Sequence, residues 1–104
     1  MFTGSLVLDV LLGDVRSLKD KRAVVRPLVA ELRRRYAVSA AEVGDADLHR
    51  RAEIGVAVVA GNPGHVTEVL DACERLVAAR PDLVLLSARR QLTSDTDEEY
   101  VTDG

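Results

Sequence analysis

The stretch FTGSLVLDVLLGDVRSLKDKRAVVRPLVAELRRRY, residues 2–36, changes its periodicity once, and that change decides the fold. Phe2, Leu6, Leu8, Val10 and Leu12 alternate with Thr3, Ser5, Val7, Asp9 and Leu11, a period-two pattern with a mostly apolar second face. It predicts a central strand. Beyond it Leu18, Val25, Val29, Leu32 and Tyr36 recur at spacings of 7, 4, 3 and 4, which places them on one buried helix face. Ser17 followed by Asp20 resembles a capping box, with the hydroxyl on a first-turn N–H and the carboxylate at the positive helix end. Pro27 removes a donor inside that helix at a cost of ~3 kcal/mol, so a kink is expected near Ala23–Pro27. The competing arrangement is an irregular turn through Lys19–Arg22, with the helix proper starting near Arg26.

Working outward, Ala37–Gly44 and Arg51–Ala60 read as two strands, joined into a hairpin by the turn chemistry of Gly44-Asp45-Ala46-Asp47. Asn62 then caps a second helix with Pro63 at its first position, where a missing donor is harmless. Val66, Val69, Leu70, Cys73, Leu76 and Val77 form its apolar stripe, and Arg80 and Pro81 end it. Leu83–Leu92 supplies a fourth strand. Residues 1–92 thus make a single domain, and 93–104 form an acidic tail with too little apolar material to fold.

The order strand, helix, strand, strand, helix, strand predicts an α+β fold, a ferredoxin-like β-α-β-β-α-β sandwich. Its four-stranded antiparallel sheet has the order 4-1-3-2, with two helices on one face. One consequence carries the functional reading: the turn before the first helix and the hairpin between strands two and three lie at the same end of the sheet.

Composition narrows what such a domain does. The 104 residues are one ordinary domain. Three aromatics (Phe2, Tyr36, Tyr100) and no Trp leave little for stacking on bases or sugars. One cysteine and two histidines give neither an internal disulfide nor a metal-ligand spacing, so no metal and no cofactor is expected. With no apolar run long enough to span a bilayer and no signal-peptide pattern, a soluble cytoplasmic protein is expected. The net charge of −3 hides an asymmetry. The tail holds Asp95, Asp97, Glu98, Glu99 and Asp103 with no base. Positions 16–35 carry eight Lys and Arg residues against Asp20 and Glu31. The field that steers association is local, so a mildly acidic chain still accommodates an anionic partner.

The shared end gathers Ser17, Lys19, Lys21 and Arg22 with Glu42, Asp45, Asp47, His49, Arg50 and Arg51. Ser17-Leu18-Lys19-Asp20-Lys21-Arg22, followed by Ala41-Glu42-Val43-Gly44 and Asp47-Leu48, resembles the YlxP-like family of small uncharacterised bacterial proteins, over about residues 1–92. The family pattern has Gln before the Asp-Leu pair and Trp after it, where this chain has Ala46 and His49. The resemblance implies a ferredoxin-like fold and, because such proteins are often encoded beside translation-initiation and ribosome-maturation genes, a ribosomal or RNA-related role.

Read as residues alone, Lys19, Arg22, Arg26 and Arg33 fall at 0, 3, 7 and 14 along the helix and form one stripe that can follow phosphates. The expected RNA- or anion-binding set is Lys19, Lys21, Arg22, Arg26, Arg50 and Arg51, with structured RNA or the ribosome as partner; the plainer reading is a solvated helix face. The sheet face away from the helices should show Val7, Asp9, Leu11, Gly55, Ala57 and Val59, too small to stack on bases. Val7, Leu11, Gly55, Ala57 and Val59 are therefore expected at an interface, of a homodimer or of a partner docked on this face. No catalytic residue is expected. Cys73 lies on a buried stripe, Ser17 is a cap, and Glu42, Asp45 and Asp47 belong to a solvated turn. The expected function is a non-enzymatic binding protein, the alternative a self-associating regulatory or protein-interaction module using the open sheet face.

Overall fold

In a computed structural model of the chain, residues 1–44 and 48–95 are described. The first strand, β1 (Phe2–Leu12), leads into helix α1 (Leu18–Arg35) and the short strand β2 (Ser39–Glu42). β3 (Arg51–Ala60), helix α2 (Pro63–Ala78) and β4 (Leu83–Ser94) follow. The sheet order is β2-β3-β1-β4 with every neighbouring pair antiparallel, which is the expected α+β ferredoxin-like sandwich.

Alternation builds the core. Leu6, Leu8, Val10 and Leu12 of β1 are fully buried, and Ala52, Ile54, Val56 and Val58 of β3 turn the same way. Val25, Leu28, Val29 and Leu32 of α1 and Val66, Leu70, Cys73 and Val77 of α2 close over them. Each such Val or Leu contributes about 1.5–3 kcal/mol by leaving water.

Helix α1 starts where its cap predicts. Ser17 Oγ accepts the Asp20 N–H at 3.1 Å, and Asp20 Oδ2 reaches back to the Arg16 N–H at 3.1 Å. The helix then runs without interruption to Arg35, which overturns the arrangement in which it begins only near Arg26. Pro27 is tolerated inside it on the exposed side. In α2, Asn62 Oδ1 accepts the Gly64 and His65 N–H groups at 2.7 and 3.3 Å, with Pro63 in the first turn as expected.

Two strand boundaries differ from expectation. β2 has four residues rather than the eight of Ala37–Gly44, because the chain leaves α1 through a tight turn in which the Val38 N–H donates to Tyr36 O at 2.8 Å. β4 continues past Leu92, since Thr93 and Ser94 still have partners in Thr3 and Phe2. Beyond it the Met1 ammonium meets Asp95 Oδ1 at 2.8 Å. The first residues assigned to the acidic tail thus belong to the sheet, and 96–104 lie outside the described residues.

The end of α2 is tied to both its neighbours. Arg80 sits 3.5 Å from Glu31 of α1 and 3.3 Å from Asp82, whose carbonyl accepts the Gly13 N–H. The hydrogen bond from Arg80 holds the Asp82 carboxyl below the ordinary carboxylate range. A depressed folded-state value contributes stability that is complete above the unfolded pKa of about 4 and is lost as pH falls through the folded value. Asp82→Asn should therefore flatten the acid limb of a stability–pH curve while costing under about 1 kcal/mol at neutral pH, as pH-dependent urea unfolding can check.

Candidate nucleic-acid interface

The rim predicted from topology exists. β1 ends beside the start of β3, where the Leu12 N–H donates to Arg50 O at 2.8 Å and Arg50 Nε donates back to Leu12 O at 3.3 Å. A shallow recess lined by Asp14, Val15, Arg16 and Arg50 joins the loop before α1 to the end of the hairpin. Asp14 turns that loop with a φ of 44°, a left-handed conformation that Asp tolerates better than most residues.

Lys21 ties the helix to the hairpin. Its side chain is 2% exposed, and Nζ lies 2.8 Å from Glu42 Oε2 and donates to Leu48 O at 2.7 Å. An amine so placed cannot reach a phosphate in solvent. Lys21 therefore leaves the expected binding set and becomes the fastening of the rim. The reason is positional: Lys21 shares the inward face of α1 with Val25, Leu28 and Leu32.

Two contacts orient the flanks of α1. Arg33 Nε donates to Ala40 O of β2 at 2.9 Å, whereas Glu31 faces Arg80 beyond α2. Lys19, Arg22 and Arg26 share the Arg33 side within an arc of about 60°, because successive residues turn by about 100°. They run along the β2 flank. All three are exposed, and none forms an ion pair with a described residue. Arg16 is exposed as well and reaches the same recess as Arg50, so it joins the basic rim although its spacing singled it out for nothing. The α1 amino end itself is closed to an outside anion by Asp20 and Ser17.

Arg51 is a second correction. Ala52 is buried, so Arg51 projects from the opposite side of the sheet. There it forms a two-point pair with Asp9, Nη2–Oδ2 2.6 Å and Nε–Oδ1 3.3 Å. A guanidinium engaged at both forks on the open face is not part of the α1 rim. Val7, Leu11, Gly55, Ala57 and Val59 share that face, with Val59 63% exposed. The turn residues Asp45 and Asp47 lie outside the described residues.

Nucleophilic chemistry finds no footing in Cys73. It is fully buried, and burial pushes its thiol pKa up, away from the thiolate that attack requires. Among the described residues, no group of three His, Cys, Asp or Glu side chains converges to hold a metal ion, and no helix is long and apolar enough to cross a membrane.

A family model described as "Protein of unknown function (DUF503)" matches residues 3–90. No curated protein matches the chain.

Proposed function

We propose a function from the premise that the chain belongs to the DUF503 family: a YlxP-like, non-enzymatic, cytoplasmic protein that binds structured RNA or the ribosome through the outer flank of α1 and the adjoining rim. The observation that carries this reading is the row Lys19, Arg22 and Arg26, three exposed cations with no carboxylate partner among the described residues, continued at the rim by Arg16 and Arg50. Unpaired cations in line release counterions when they meet phosphates, and that release drives sequence-independent affinity. Base readout is not part of the proposal. The face on which RNA-binding sheets of this topology display aromatics holds Val7, Gly55, Ala57 and Arg51 here.

The test is binding of a ribosomal RNA fragment and of ribosomal particles at graded salt. Replacing Lys19, Arg22 and Arg26 together by alanine should lower the slope of log affinity against log salt by about 2, at about 0.7 per single-strand phosphate. At low salt the binding should weaken by more than about tenfold. All three are on the surface, so stability should move by no more than about 0.5 kcal/mol per site. Binding that survives the triple replacement unchanged, or no binding by the unaltered chain, refutes the reading.

A further inference from the structure

We propose that the open face of the sheet is the contact surface for a second copy of this chain, forming a face-to-face two-fold dimer. Over β2, β3 and β1 that face carries a recess of about 340 Å3 whose lining is almost wholly apolar, floored by the small residues Ser5, Ala41, Gly55 and Ala57. On the same face Val43 and Val59 stand out, 55% and 63% exposed. A two-fold contact needs both features on one patch, because each copy must supply the ridge and the hollow that receives it. The hollow is built in: a Cβ at Gly55 would come within 2.8 Å of Val43 Cγ1, so a larger residue there would displace the ridge.

Charge selects the same occupant. Arg51 pairs with Asp9 at 2.6 Å and Arg89 approaches Glu53 at 4.0 Å, so these four charges compensate one another within the face. Such a surface offers little net field to draw a polyanion or a strongly charged protein. It suits a partner that is equally apolar and equally neutral, as another copy is.

The area suffices. Strands of this length at about 3.3 Å per residue and about 4.8 Å apart, with β2 short, present roughly 600 Å2 per copy. Two copies bury roughly 1,200 Å2, at the threshold of specific, stable interfaces. Stacked sheets lie about 10 Å apart, a spacing that small residues opposite valines accommodate.

Sedimentation equilibrium of the full chain from low micromolar to near-millimolar concentration decides the matter. The expected result is a dimer mass whose dissociation constant rises at least about tenfold in Ala57→Glu, which puts a carboxylate on the recess floor of each copy. Val59→Asp should act likewise and serves if Ala57→Glu fails to fold. The Lys19/Arg22/Arg26→Ala variant should dimerise unchanged, which keeps this outcome separate from polyanion binding. A monomer at every concentration overturns the proposal, as does a dimer that withstands both open-face substitutions. So does a dimer lost only on Leu86→Asp, which would assign the contact to the β4 edge.

Discussion

Lys21→Ala should destabilise the protein by about 3 kcal/mol, the lower end of what breaking a buried ion pair costs. For a domain of this size that lowers Tm by roughly 12–24 °C. Removing the amine takes the donor from Leu48 O and the counter-charge from Glu42, and leaves a void on the inward face of α1. The lower end applies because the Glu42 side chain is 24% exposed and keeps some water. The cost belongs mainly to the stranded partner rather than to the pair. Lys21→Met combined with Glu42→Leu should therefore recover at least half of the loss, since a buried pair replaced by apolar groups of similar volume is often neutral or better. Denaturant unfolding of Lys21→Ala and of the double variant measures this. A loss below about 1 kcal/mol in Lys21→Ala would show that the amine does not fasten the rim. The proposed polyanion contact supplies a second readout: on that proposal the double variant should match the unaltered chain in an RNA-binding assay, whereas Arg22→Ala, one residue away, should bind more weakly.

Gly4→Val should cost about 3 kcal/mol, at the upper end of overpacking penalties. A Cβ on Gly4 would overlap Val66 Cγ1 and stand 3.0 Å from Leu70 Cδ1, so α2 lies directly on the β1 backbone there. Val66 cannot swing aside, because a β-branched side chain in a helix has one strongly preferred rotamer. The helix must lift, and it would carry Leu70 and Cys73 out of their packing. Val66→Ala alone opens a cavity and also destabilises, but in the Gly4→Val background it makes room. The double variant should fall short of the sum of the two singles by about 1–2 kcal/mol, a coupling expected only of groups in contact. Additive losses would place the origin of the Gly4 requirement elsewhere.

How much of this was legible in the sequence depended on whether a signal was local. The Asn62-Pro63 start of α2 and the span of β3 are recovered to the residue, because caps and alternation act over a few positions. The short β2 is not, since its length is set by where α1 releases the chain and by how much of β3 it can reach. Thr93 and Ser94 bring no apolar residue to extend the strand pattern and are ordered by Thr3 and Phe2, about ninety residues earlier in the chain. Of the basic residues, Lys19, Arg22, Arg26 and Arg50 are at the surface as expected. Lys21 and Arg51 depart from the expected set, although each carries its own signal in the sequence. Lys21 keeps step with Val25, Leu28 and Leu32, and Arg51 has the parity of Gly55, Ala57 and Val59. Charge alone points Lys21 to solvent and Arg51 to the α1 rim; periodicity puts Lys21 on the inward helix face and Arg51 on the open face of the sheet.

Having both helices on one side of the sheet has a consequence for stoichiometry. Two copies stacked on their bare sides would turn their α1 ridges outward, in opposite directions, across roughly 30 Å, given sheets about 10 Å apart and helices about 10 Å thick. A single short RNA could not bridge them. Two separate strands, or one long RNA folded around the pair, could occupy both ridges, and in the latter case the second contact would form at the high local concentration set by the first.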